Sequence, residues 1–174
     1  MEPLTGVCAE RVCDRGQRDA IAALCERSGG ALRAWRVAPS YSRTFAVVAG
    51  AFDERAAAEL LGCELVLDRP PALYVALEPR DDGGLAAVEA ALAGRGAPAG
   101  VSARRHGRAL VLRLNADRTP VTLVRELVDI ELAPRGIGCA FRLLSPVDLP
   151  TVARLAADGL GAEISAADVL EARL

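Results

Sequence analysis

Hydrophobic positions in the first part of the chain alternate between the two-residue period of strands and the longer period of helices. Residues 7–13 are predicted to form a strand, and Asp14 caps a predicted helix that ends at Gly29-Gly30. A further strand over residues 63–67 closes this unit. Between the first helix and this last strand, the pattern predicts strands over 32–37 and 45–50 and a helix that begins at Asp53 and stops at Gly62.

The same order of predicted elements returns after the Asp-Arg-Pro-Pro break at residues 68–71. A strand over 73–77 is followed by a helix capped at Asp81-Asp82, and Thr119-Pro120 favours the start of a second helix. The other predicted elements are a hairpin over 101–105 and 110–114 with His106-Gly107 at its tip, and a strand over 139–144.

Two more helices are predicted after the last strand. One begins near Ser145 or Asp148, and the other carries a Ser165-x-x-Asp168 capping signature. The repeat predicts an α+β fold of two tandem ferredoxin-like βαββαβ units with C-terminal helices. The expected boundaries are 1–68 for the first unit and 72–174 for the second with its helices.

Composition adds limits on function. The chain has 174 residues, 52% of them hydrophobic, so a sizeable core is expected. Its net charge of -2 and its dispersed charges argue against a nucleic-acid partner, which needs a clustered basic face. Its apolar runs are strand-sized, and its start lacks the pattern of a signal peptide, so no membrane partner and a cytoplasmic location are expected.

The residue types present restrict the chemistry further. All 21 basic residues are arginine, which excludes a Schiff-base lysine and the lysine of a phosphate-binding loop. The five cysteines are widely spread without a Cys-x-x-Cys pair, so buried thiols are expected rather than a metal site. The single histidine, His106, is expected in a turn, and no catalytic residue is assigned.

Residues 39–50 end a loop in Arg-Thr and continue into an apolar strand that ends in Gly. This segment resembles one in an enzyme family, the formiminotransferases, and so do several others. Residues 14–18 are similar to its Ser-Glu-Gly-Arg helix start, and residues 114–120 to its Asn-Leu-Thr-Asp…Thr-Pro stretch. The likeness continues through residues 123–128 and Gly136, and covers most of residues 7–144 with gaps.

The resemblance implies a folate-like or acidic one-carbon ligand bound between the two units, with tetrahydrofolate as the cofactor to test. Arg43, Thr44, Tyr41 and Asn115 are the candidate ligand-binding residues. The family's His-Pro-Arg-x-Gly segment, which supplies its general base, has no counterpart where Gly62 runs directly into residues 63–67. A formiminotransferase-like binding protein without the family's catalysis is therefore the main hypothesis.

Two alternatives stay open. One is a tandem ferredoxin-like regulatory or protein-interaction module without enzymatic activity, whose units pair by sheet edges, with a homodimer as one form. The other is an active folate-dependent formimino or formyl transferase that uses a different base. The remaining polar clusters have simpler interpretations: Arg104, Arg105 and Arg108 protect an edge strand, Asp81-Asp82 cap a helix, and Trp35 belongs to the core.

Overall fold

The computed structural model describes residues 2–94, 100–115 and 118–157, with the backbone alone for 118–121. The chain divides into two compact units. The first unit contains residues 2–72 and Ser145–Asp148. The second contains the described residues of Leu73–Leu144 and those from Leu149 to residue 157.

The first unit is a four-stranded antiparallel sheet with the strand order β2-β3-β1-β4 and two helices. Helix α1 begins in a capping box, in which the Asp14 carboxylate accepts from the Gln17 N–H and the Gln17 side chain accepts from the Asp14 N–H. The elements are β1 (Leu4–Ala9), α1 (Arg15–Arg27), β2 (Gly30–Ala38), β3 (Arg43–Gly50), α2 (Glu54–Leu61) and β4 (Leu65–Asp68).

One face of this sheet packs against the two helices. Alternate residues of β1 and β3 share a core with apolar residues of α1 and α2. Trp35 is half-buried against this core, as the sequence predicts. The buried members of the core are Val7, Ala9, Cys13, Ile21, Leu24, Cys25, Ala46, Val48, Ala57 and Leu61.

The second unit repeats the arrangement, with the strand order β6-β7-β5-β8 and antiparallel neighbours throughout. Leu110, Leu112 and Leu114 alternate along β7 and are almost fully buried. The elements are β5 (Leu73–Pro79), α3 (Asp82–Gly94), β6 (Val101–His106), β7 (Ala109–Leu114), α4 (Arg118–Glu131), β8 (Cys139–Leu143) and α5 (Leu149–Leu155).

The predicted α+β fold of two tandem ferredoxin-like units is confirmed by the shared strand order. Several boundaries differ. Strand β3 begins at Arg43 rather than Phe45, because Ala38 and Arg43 already pair across the short connection. Strand β4 begins at Leu65 rather than Cys63, because Gly62 ends α2 with a left-handed residue and the chain needs two more residues to enter the sheet.

Two predictions for the second unit also change. The hairpin tip is Gly107-Arg108 rather than His106-Gly107, because the residue with positive φ (58°) is Gly107 and it occupies the first turn position. Helix α4 begins at Arg118, one residue before the predicted Thr119 cap. The helix predicted from the Ser165-x-x-Asp168 signature lies outside the described residues. None of the helices in the described ranges is long and apolar enough to cross a membrane.

Candidate functional site

Arg43 is the residue that the sequence singles out most strongly, and its side chain is only 6% exposed. Its Nη1 donates to the Tyr41 carbonyl oxygen at 3.0 Å, and its Nη2 lies 3.4 Å from Oε1 of Glu10, which is 46% exposed. The guanidinium therefore connects the β2–β3 loop to the end of β1. A buried charge needs such partners, because desolvation without them costs several kcal/mol.

Thr44 connects the same two segments through its hydroxyl. The hydroxyl donates to the Arg11 carbonyl oxygen at 2.7 Å and accepts from the Cys13 N–H at 3.0 Å. Thr44 is 2% exposed. Because both hydrogen bonds go to backbone groups of the β1–α1 loop, Thr44 fixes the conformation of that loop just before the cap of α1.

Tyr41 ends a single 3-10 turn, Pro39–Tyr41, that makes the β2–β3 connection compact. Its side chain is buried, and the following Ser42 adopts a left-handed conformation (φ 50°) with its N–H donating to the Pro39 carbonyl oxygen. Left-handed backbone is uncommon outside glycine. The loop is thus held in one conformation by its own turn and by Arg43.

A third loop of the first unit joins this group of residues. Nη1 of Arg11 donates to the Leu61 carbonyl oxygen at 3.1 Å, at the C-terminal end of α2, where a cation is favoured by the helix dipole. Burial raises the pKa of the nearby Cys63 thiol, and Cys13 adds to the effect. The Cys63 thiol is therefore a poor nucleophile near neutral pH.

We call these residues the Arg43 cluster: Glu10, Arg11, Tyr41, Arg43 and Thr44. The structure brings together three of the four candidate ligand-binding residues, since Tyr41, Arg43 and Thr44 all belong to this cluster. Their described hydrogen bonds hold three loops of the first unit in place. Sequence reasoning missed Glu10 as the partner of Arg43, and the 33 residues between them leave no local signal for it.

Asn115, the fourth candidate, belongs to the second unit. Its N–H donates to the Gly100 carbonyl oxygen at 3.0 Å, and its exposed side chain lies over Gly100. A Cβ at Gly100 would collide with the Asn115 side chain, and Gly100 also has a positive φ of 79°. Asn115 therefore closes the open end of the β6–β7 hairpin.

The other polar candidates have structural partners. The Asp81 carboxylate accepts from the Gly83 N–H at 2.6 Å, which confirms Asp81 as a cap of α3. His106 is half-buried at the end of β6. In the part of the chain that the structure describes, no three His, Cys, Asp or Glu side chains lie close enough together to hold a metal ion.

Among the described strands of the second unit, β6 has the most exposed residues. It pairs with β7 and has no second strand neighbour among the described strands. Four consecutive residues, 102–105, are exposed. The three arginines at this hairpin were interpreted from the sequence as edge protection, and two of them pair with α3: Arg105 with Glu89 at 3.3 Å and Arg108 with Asp82 at 3.9 Å.

Comparison with known proteins gives no family. No family model matches the chain, and no curated protein matches it. An unknown protein from Galdieria sulphuraria has 12% identity and a TM-score of 0.40, with 82% of this chain and 98% of that chain covered. A putative glycine cleavage system transcriptional repressor has 16% identity and a TM-score of 0.35, with 82% and 96% covered.

A third solved structure, a putative C-terminal regulatory domain of aspartate kinase from Porphyromonas gingivalis W83, has 9% identity and a TM-score of 0.31. The aligned region covers 75% of this chain and 91% of that chain. None of these three proteins is named as a formiminotransferase. Likeness at this level carries no argument about function, and the class of this protein rests on its own strand order. The chain is a tandem ferredoxin-like α+β protein.

Proposed function

We propose that this chain is a regulatory or protein-interaction module that acts by binding through a sheet edge and not by catalysis. The observation that carries the proposal is the exposed outer edge of β6. An edge strand presents backbone N–H and C=O groups that a strand from another chain can extend. Such recognition needs no catalytic side chains.

The contrast with the Arg43 cluster supports this proposal. There the candidate side chains are buried, and their hydrogen bonds go to backbone groups and to Glu10. A ligand carboxylate that bound Arg43 would compete with those partners. On β6, by contrast, residues 102–105 are already exposed.

A photo-crosslinking experiment tests the proposal without assuming a partner. A benzophenone amino acid replaces Ser102, and the chain is irradiated in its native cells. A matched variant carries the same group at Arg55, whose side chain is 92% exposed on α2 of the first unit. We expect adducts from position 102 that are lost when Ala103→Arg is added. Adduct yields equal to those from position 55 would refute an interaction role for this edge.

A second hypothesis keeps the folate-like or acidic one-carbon ligand. It is supported by the resemblance at residues 39–50, together with the finding that Arg43 and Thr44 open strand β3. Thermal unfolding with tetrahydrofolate and with formiminoglutamate tests it. A stabilisation by either ligand that Arg43→Ala removes would support binding, and turnover of the two together would favour the active transferase instead.

A further inference from the structure

The N–H and C=O groups of successive β6 residues point alternately towards β7 and away from it. In a hairpin with a two-residue turn, the residues that flank the turn exchange both hydrogen bonds, so His106 and Ala109 form a hydrogen-bonded pair. The bond from the Asn115 N–H to the Gly100 carbonyl oxygen (3.0 Å), at the other end of the ladder, fits the same alternation.

Because the alternation has a period of two, the even-numbered residues of β6 bond to β7. Val101, Ala103 and Arg105 therefore direct their N–H and C=O groups to the outer edge. Three successive outward residues are enough for a regular antiparallel ladder with another strand. This edge is a backbone template that the β6–β7 hairpin holds in register.

The other edge strands are less suited to pairing. Strand β2 is longer, but none of its residues is exposed, and its pairing with β3 is irregular between Leu32 and Ala34. Strand β4 has four residues, of which one is exposed. Strand β8 has two exposed residues, Ala140 and Arg142. Bulges, short length and charged side chains are the usual ways to keep an edge from pairing. Strand β6 has no bulge and has six residues, and its charged residues, Arg104 and Arg105, restrict the register that a second strand can take.

The face of helix α3 that contacts the β6–β7 hairpin carries two carboxylates and two small residues. Asp82 and Glu89 lie seven residues apart on one face of α3, and they reach Arg108 and Arg105 of the hairpin. The exposed Ala86 and Ala93 lie on the same helical face, by the same spacing. Small side chains there allow a second protein to approach the edge closely, and the two carboxylates reduce the positive charge of the hairpin.

The arginines determine which register is acceptable for a second copy of β6. A two-fold axis at Ala103 places Ser102 opposite Arg104 of the second copy and Val101 opposite Arg105, so that residues 101–105 pair along their whole length. An axis at Arg104 or at Arg105 places an arginine directly opposite its own copy, which is destabilising. The most extensive register is thus also one that places no two arginines directly opposite each other.

We propose that two copies of this chain associate through β6, antiparallel about a two-fold axis at Ala103, to join their second-unit sheets. The inference rests on the proposed interaction function and names its partner. A two-fold contact uses the same patch on both copies, which this self-complementary register provides. The Ala103 N–H of each copy donates to the Ala103 carbonyl oxygen of the other.

Two charge variants test the edge. Ala103→Arg places like charges opposite each other on the axis and is expected to raise the dimer dissociation constant at least about tenfold. Ala140→Arg makes the same change at an exposed position of β8 and is expected to leave the constant unchanged. Sedimentation equilibrium measures both, and circular dichroism verifies that each variant is folded. A monomeric wild type, or equal effects of the two variants, would overturn the proposal.

Two cysteine variants test the register. In a hydrogen-bonded pair the Cα atoms are about 5.5 Å apart, within the range that a disulfide spans, so Ala103→Cys is expected to crosslink on mild oxidation. In Ser102→Cys the new thiol lies opposite Arg104 of the second copy. Position 102 of that copy is diagonal to it, roughly 7–8 Å away, so crosslinking is expected to be much slower. The wild type, with its five natural cysteines, gives the background. Faster crosslinking of Ser102→Cys would refute the axis at Ala103.

The photo-crosslinking experiment separates this inference from the proposed function. Adducts from position 102 to a second copy of the chain support both. Adducts only to a different protein leave the interaction function standing and overturn the homodimer. Adducts no more frequent than from position 55 overturn both.

Discussion

Replacing Arg43 by alanine tests whether this side chain holds the first unit together. The substitution removes the bond from Nη1 to the Tyr41 carbonyl oxygen and the ion pair with Glu10. It also removes a side chain that is only 6% exposed, so its aliphatic part no longer fills the space under the loop. The β2–β3 loop and the end of β1 lose the contact that joins them.

The size of the effect follows from the exposure of each partner. A hydrogen bond from a charged donor contributes about 1.5–3 kcal/mol, and the buried Tyr41 carbonyl oxygen loses its Arg43 donor. Glu10 is 46% exposed, so its ion pair adds at most about 1 kcal/mol. We expect Arg43→Ala to lower the free energy of unfolding of the first unit by about 3 kcal/mol. Glu10→Ala, the matched control, removes the ion pair but keeps the Tyr41 bond and the aliphatic part of Arg43, so it is expected to cost less than Arg43→Ala.

Trp35 makes the measurement specific, because it is the single tryptophan of the chain and it packs in the core of the first unit. Its fluorescence during urea unfolding reports on that unit alone. With an m-value of about 1 kcal/mol/M, the Arg43→Ala midpoint should fall by about 2–3 M. A midpoint within about 0.5 M of wild type, with a folate or formiminoglutamate stabilisation that the variant abolishes, would instead make Arg43 a ligand-binding residue.

Three further predictions follow from single contacts. Thr44→Val keeps the shape but leaves the Cys13 N–H and the Arg11 carbonyl oxygen without their Thr44 partner, so urea unfolding should show a loss of about 2 kcal/mol, while Thr44→Ser should cost less. Asp14→Ala removes the cap of α1 and should cost about 1 kcal/mol in the same assay, with Asp14→Asn nearly neutral. Burial, with a contribution from the Glu78 carboxylate, raises the pKa of Cys139 to about 11, so alkylation of this thiol followed by mass spectrometry should accelerate about tenfold per pH unit from about pH 8 to 10. A rate that levels off near pH 9, as for an ordinary thiol, would contradict that pKa.

The fold was predictable because its signals are local. Asp14 and Asp53 are caps whose side chains accept from the backbone N–H three residues on, and both are recognisable from the residue type and the apolar pattern that follows. Short apolar runs identified β3 and β7 without any knowledge of their partners. Once the two units repeat the same order of elements, the strand order follows from the rules of short connections.

The candidate site was less predictable because its contacts are distant in the sequence. Glu10 and Arg43 are 33 residues apart, and nothing in either local sequence indicates that they meet. The sequence placed Arg43 in an open loop, whereas the 3-10 turn at Pro39–Tyr41 draws it into β3 and buries it. The edge position of β6 was easier to predict, because a basic run beside a turn is itself a local sign of an edge strand.

Residues that carry the formiminotransferase resemblance have structural roles in this chain. Thr44 fixes the β1–α1 loop, Arg43 fixes the β2–β3 loop, and the residue pair occupies the point where β3 enters the sheet. A βαββαβ unit needs such ties, because those two loops meet at the same end of the sheet in every unit of this topology. An Arg-Thr pair before an apolar strand is therefore explained by the fold alone, and it cannot by itself indicate folate chemistry. The experiment that separates the two explanations is the one on Arg43, since a structural tie changes stability without ligand and a binding residue changes it only when ligand is present.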